Sequence, residues 1–155
     1  MTGPLATDAD AEVAGTTVRF CTFVVGNLLL GLPVEDVVEV VQDEQLTSVP
    51  LAPEAVLGLL NLRGRIVPAV DARTRLGVDP RGDGAVPVHV IVRTEDEQIS
   101  LVVDATGDVV TLALATREDV PETVDPEIRK LLTSSYQLVG ALLLVLDPHL
   151  VLTGV

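Results

Sequence analysis

A short pattern occurs twice in this chain, and that recurrence restricts the possible folds more than any other feature. Gly64-Arg-Ile-Val-Pro-Ala-Val-Asp71 returns as Gly140-Ala-Leu-Leu-Leu-Val-Leu-Asp147, 76 positions later. The Gly and the Asp keep their separation in both copies, which is harder to reach by chance than two apolar runs. A second pair, Asp36-Val-Val-Glu-Val40 and Asp108-Val-Val-Thr-Leu112, lies 72 positions apart. The hairpin pattern around Phe20 to Leu32 also resembles that around Val88 to Val103. The chain therefore reads as a duplicated unit of about five short strands per half, and closure into barrels removes the exposed edges of such strands. The expected fold is mainly β: two small five-stranded β-barrels, packed as one unit, with a few short helices. The first half spans about 16–78 and the second about 85–152, with the C-terminal strand open to sharing between barrels. Asp79-Pro80-Arg81-Gly82-Asp83-Gly84 is the turn-dense linker between them.

Composition narrows the function classes. With 155 residues, 48% of them hydrophobic, the chain can bury a real core as one unit or two closely joined ones. Ten basic against 23 acidic residues give 10 − 23 = −13, and the chain has no Trp, one Tyr and two Phe. That balance repels phosphate backbones and supplies few stacking surfaces, so nucleic acid is not an expected partner. The single cysteine, Cys21, cannot form an internal disulfide, and 1–15 reads as an acidic solvated tail without signal-peptide character. The longest uncharged run, Leu131 to Leu146, is interrupted by Thr133, Ser134, Ser135 and Gln137 and is too short to span a bilayer. A cytosolic protein with no direct membrane insertion is expected.

Locally, Val18 to Val25 and Leu28 to Leu32 flank a turn at Gly26-Asn27. Pro33 to Asp36 reads as a brief turn before a strand from about Val37, because valines favour extended backbone. Pro53 to Val56 reads as one helical turn. Apolar residues before Arg63 and from Ile66 to Val70 form a hairpin with Arg63-Gly64 at its tip, where Gly64 supplies positive φ. Asp71 caps a short helix through Leu76, and Gly77 stops it. Val86 to Arg93, Ile99 to Val103 and Val109 to Leu114 are further strands. Thr116 to Pro126 is a polar loop, Glu127 to Leu132 a short helix, and Gln137 to Leu146 two strands meeting near Gly140-Ala141. Asp147-Pro148 starts a last short helix or turn.

No residue set for catalysis emerges. His89 alternates with valines in a strand, His149 follows a proline in the last turn, and Cys21 reads as a packed thiol. No phosphate loop or calcium loop occurs, and the carboxylates are dispersed. An enzyme has no residues to stand on, and no cofactor or metal is expected. The arginines are the exception, because Arg63, Arg65, Arg73, Arg75 and Arg81 are five of the ten basic residues and share one short segment. Local salt bridges account for Arg73, Arg75 and Arg81. Arg63, at a hairpin tip, suits bidentate contact with a partner carboxylate or carbonyl.

Asn61-Leu62-Arg63-Gly64, followed by Ile66-Val67-Pro68-Ala69-Val70-Asp71 and Arg73, resembles the signature hairpin of the CheW family of chemotaxis coupling proteins. Gly31 to Val41, Val102 to Val110 and the Gly-x-Leu-Leu-Leu-Val-Leu ending extend the resemblance over about 16–152. Ala72 departs from it, standing where the family usually has Leu, as does the stretch from Gln42 to Gln45. The resemblance implies two intertwined SH3-like barrels and no enzymatic activity. It further implies a cytoplasmic scaffold that binds the tip of a methyl-accepting chemoreceptor and the CheW-like regulatory domain of the histidine kinase CheA, and so reaches membrane receptor arrays through partners. Carried over by motif, Asn61, Leu62, Arg63 and Arg65 are expected at a partner-binding surface, and Glu39, Val37 and Val40 in a receptor-facing groove. Two other readings stay open: a CheW-like adaptor in a pathway unrelated to motility, and a small-molecule-binding barrel.

Overall fold

The computed structural model describes residues 16–42, 45–79, 86–95 and 97–152. The expected acidic tail, most of the expected linker and Arg81 lie outside them. Strand β1 (Thr17–Val25) turns at Gly26-Asn27 into β2 (Leu28–Pro33), and a 3-10 turn at Val34–Asp36 leads to β3 (Val37–Gln42). The two-residue β4 (Leu46–Thr47) precedes a hairpin of β5 (Val56–Leu62) and β6 (Arg65–Asp71), which feeds helix α1 (Ala72–Leu76). The second half repeats this plan. β7 (Val88–Thr94) and β8 (Glu97–Val103) form its hairpin, β9 (Ala105–Ala113) follows, and a 3-10 turn at Leu114–Thr116 leads out. Helix α2 (Pro126–Arg129), β10 (Leu132–Leu138), β11 (Ala141–Leu146) and α3 (Pro148–Leu152) complete it.

The two halves do not form a barrel each; they exchange hairpins. One sheet runs β10-β11-β2-β1-β9 and the other β3-β7-β8-β6-β5-β4, so each takes its first hairpin from one half and its remaining strands from the other. The seams are parallel and correspond: Gly31 of β2 faces Val145 of β11, and Ser100 of β8 faces Ala69 of β6. Here 145 − 69 = 76, the offset of the Gly/Asp pattern, and 100 − 31 = 69 for the hairpins. Asp71 N–H donates to Ala55 O at 2.7 Å and Asp147 N–H to Leu131 O at 2.9 Å, again 76 positions apart at both ends.

The Asp-Val-Val pair, in contrast, was aligned three residues out of register by its sequence. Val37 faces Val92 and Val40 faces Val90, while Thr106 faces Phe23 and Val109 faces Cys21. Val40 thus corresponds to Val109 at 109 − 40 = 69, not 72, in keeping with the hairpin offset. Both strands carry a bulge at this place, and the bulge sets a register that interchangeable valines cannot. Three further differences from expectation are local. Sheet β3–β4 has six strands because β4 joins the expected five. Strand β10 begins at Leu132 rather than Gln137, and its Ser134 and Ser135 are buried. Pro53 to Val56 closes as a turn on a Val56 N–H to Pro53 O bond of 2.9 Å.

Strand alternation divides the apolar residues among three clusters. Phe20, Leu112, Tyr136, Leu143 and Val145 fill the interior of the first sheet, with the Phe20 and Tyr136 rings 5.3 Å apart. Leu60, Leu62, Val67 and Ile91, with Val38, Val41 and Leu46 against them, fill the second. The opposite faces of both sheets meet in the largest cluster, where Phe23, Leu30, Leu32 and Leu144 pack on Val90, Val92, Leu101 and Val103. The two barrels therefore share one core. His89 is buried in β7, its Nδ1 2.9 Å from the Ser100 hydroxyl.

Candidate partner-binding site

The β5–β6 hairpin turns on two residues, Arg63 with φ 52° and Gly64 with φ 81°. Positive φ at both central positions is the type I′ turn, whose twist matches that of paired strands. Gly64 adopts it freely and an arginine does not. Asn61 steadies the turn by accepting the Gly64 N–H on its Oδ1 at 3.1 Å. The reversal throws the Arg63 guanidinium out from the tip toward Glu39 of β3. Arg63 Nη2 donates to Glu39 Oε1 at 2.8 Å and Nη1 donates to Oε2, a fork-on-fork pair. β3 ends the strand order and β5 lies next to its other end, so this contact exists only because the sheet curls on itself.

The pair is open on one side. The Arg63 side chain is 71% exposed and that of Glu39 23%. The hydrogen bond from Arg63 holds the Glu39 carboxyl below the usual carboxylate range, and the same bond pushes the guanidinium up. Both groups are charged at every physiological pH. Next to them in sequence stand exposed Arg65 and Ile66 on β6, Ile66 at 59% exposure, and Val40 on β3 at 43%. Apolar side chains beside a fixed charge pair are what a protein interface uses for contact and choice of partner respectively.

The expected residues therefore do not all share this surface. Asn61 and Arg63 shape the hairpin tip and Glu39 pairs with it, while Arg65 and Val40 are exposed next to them in sequence. Leu62 turns inward with Leu60 and is 9% exposed, so its side chain packs the barrel. Val37 packs against the shared core, on the far side of the β3 bulge from Glu39. Ile66 was missed, although period-2 alternation across the hairpin places it opposite Asn61 and outward.

Arg73 and Arg75 tie elements of the fold together. Arg73 Nε and Nη2 donate to the two Asp104 carboxylate oxygens at 2.8 and 2.6 Å, and Nη1 donates to Asp79 O at 2.6 Å. Asp104 Oδ2 also accepts the Gly26 N–H at 2.7 Å, so helix α1, the β1–β2 turn and the β8–β9 connection meet at one carboxylate. Arg75 donates to the carbonyls of Leu150 and Val151 at 2.8 and 2.9 Å and so binds α1 to α3. Asp71 Oδ1 caps α1 on Arg73 N–H at 3.1 Å, and Gly77 ends it at φ 71°. Among the described residues no cluster of His, Cys, Asp and Glu could hold a metal, and no helix is long and apolar enough to cross a membrane. Among the described residues, side chains of the Phe20 and Leu60 clusters pack the barrel interiors.

Two hairpin-exchanged β-barrels around a shared core, with a charged hairpin tip on one flank, define a double β-barrel protein. The chain belongs to the CheW family: the CheW-like domain matches residues 19–155. A relative named chemotaxis protein CheW from Helicobacter pylori is 26% identical over 106 residues, 68% of this chain and 64% of that protein. Another of the same name, from Klebsiella aerogenes, is 29% identical over 114 residues, 72% of this chain and 69% of that one. The chain thus spans just under two thirds of the Helicobacter protein. The crystal structure of the scaffolding protein TtCheW from Thermoanaerobacter tengcongensis superposes with a TM-score of 0.79 at 27% identity. It covers 89% of this chain and 94% of its own.

Proposed function

We propose that this chain is a non-enzymatic scaffold of chemotaxis signalling that couples methyl-accepting chemoreceptors to the histidine kinase CheA. It works in the cytoplasm and reaches membrane receptor arrays through those partners. The observation that supports this placement of the partner surface is the solvent-facing Arg63–Glu39 pair, set on a strained turn, with exposed Val40 and Ile66 near it in sequence. The mechanism is assembly: two partners held in fixed relative geometry bias one another through packed interfaces, and the coupling is a free energy between sites rather than a reaction.

Co-sedimentation with receptor-containing membranes and kinase tests the reading. Arg63→Glu places two carboxylates together and is expected to weaken recovery of kinase or receptor while the circular dichroism spectrum stays that of the wild type. Undiminished assembly by a folded Arg63→Glu protein would remove the hairpin tip from the interface. Failure of the wild-type chain to bind either partner would remove the coupling role itself.

A further inference from the structure

The duplication gives the partner-facing hairpin tip a counterpart on the other barrel. Strands β10, β11, β2, β1 and β9 stand in one sheet as β5, β6, β8, β7 and β3 stand in the other. The offset of 76 carries Asn61, Arg63 and Gly64 onto Gln137, Val139 and Gly140, and the offset of 69 carries Glu39 and Val40 onto Asp108 and Val109. The register agrees through the bulge. Val40 faces Val90 and Val109 faces Cys21, with 90 − 21 = 69. Glu39 faces Ile91, and Asp108 takes the Thr22 hydroxyl on its carbonyl, with 91 − 22 = 69. The ends of the first sheet also meet, because Glu118, in the chain leaving β9, exchanges backbone hydrogen bonds of 2.9 and 2.8 Å with Ser135 of β10. On that closed sheet the β10–β11 tip takes, relative to β9, the place of the β5–β6 tip relative to β3.

The two tips are steadied at the same position and carry different groups. Gln137 Nε2 donates to the Leu138 and Ala141 carbonyls at 3.3 and 3.2 Å, where Asn61 accepts the Gly64 N–H. Of Val139 and Gly140, the glycine alone has positive φ, 79°. Val139 stands in place of Arg63 and is 80% exposed, and Val109 is 51% exposed. Asp108 is exposed, and among the described residues its carboxylate takes no hydrogen bond or ion pair, whereas Glu39 is closed by Arg63. The second tip thus holds an apolar side chain out in water on a stapled turn, with a corresponding carboxylate left open.

We propose that this second tip is a protein-docking surface whose partner brings the cation that the first tip supplies from within. An arginine of the partner forks onto Asp108, and apolar side chains beside it cover Val139 and Val109. The inference rests on the coupling role, in which one chain holds two partners at once and needs two surfaces. A closed charge pair on one tip and an open carboxylate on the other give those surfaces different partners.

Receptor-containing membranes and purified kinase, each offered alone to the full chain in separate co-sedimentation assays, test the proposal. Asp108→Lys is expected to weaken one of the two about tenfold or more and spare the other, and Arg63→Glu should do the reverse. Asp108→Asn should weaken the same partner as Asp108→Lys, by less. Val139→Arg puts the arginine of the first tip on the second, where it should close on Asp108 and weaken that partner too. Undiminished binding of both partners by Asp108→Lys and Val139→Arg proteins with wild-type circular dichroism spectra would overturn the second surface. So would loss, by Asp108→Lys, of the partner that Arg63→Glu loses. Binding that falls with Val139→Arg and with neither Asp108 variant would overturn the partner-borne cation. A wild-type chain that binds neither partner would instead overturn the coupling role, and this surface with it.

Discussion

Arg63 occupies a left-handed backbone conformation that asparagine or glycine would adopt with less strain, and it does so on a residue that hardly packs. Exposed ion pairs contribute little to stability, so Arg63→Asn is expected to melt no lower than the wild type while losing partner recovery, a split that calorimetry and co-sedimentation read separately. The two shifted carboxylates respond to pH in opposite senses. The folded Glu39 carboxyl titrates below its unfolded value, so its contribution is present above the unfolded value, about 4.3 for glutamate, and fades as the pH falls through the folded one. Asp36, pushed up by burial first and then by Glu35 and Asp147, titrates above its unfolded value, so folding weakens as the pH rises from that value through the folded one. Asp36→Asn should accordingly raise the denaturant midpoint at neutral pH and leave it unchanged near pH 3, about a unit below the unfolded value. A midpoint that falls at neutral pH would contradict the crowding of like charge around Asp36.

Elements built from neighbouring residues were legible in the sequence, because their determinants lie within a few positions of one another. The β5–β6 hairpin, the Asp71 cap and the Gly77 stop all came from local chemistry. The Arg63–Glu39 pair did not, since its partners stand 24 positions apart and meet only after the sheet curls. The start of β10 was hidden by Thr133, Ser134 and Ser135, small polar residues that read as loop until the burial of the two serines is known. Removing the α1 cap by Asp71→Ala should cost about 1 kcal/mol by denaturant titration. Gly58 has φ 152°, and a Cβ there would lie 2.6 Å from Thr47 O. Gly58→Ala should therefore push β4 off β5, losing hydrogen-exchange protection at Leu46 and Thr47 before the rest of the sheet loosens.

On the scale of the molecule, the duplication was legible and the exchange was legible only in outline, since interleaving came from family resemblance and the partner of each hairpin from no local signal. Sharing of one core has a direct thermodynamic expectation. Leu101, fully buried in that core, should cost about 2–5 kcal/mol as Leu101→Ala, with both barrels melting in one transition. The exchanged seams also set an order for synthesis. On the ribosome, the sheet of β3 to β8 is complete once Val103 has emerged, but Leu29 of β2 waits for Leu143, 143 − 29 = 114 positions later. β1 can pair with β9 once Ala113 has emerged, but through the rest of that interval the β2 edge has no strand beside it. That open edge is the place where the partly made chain is exposed to chaperones, proteases and misassociation.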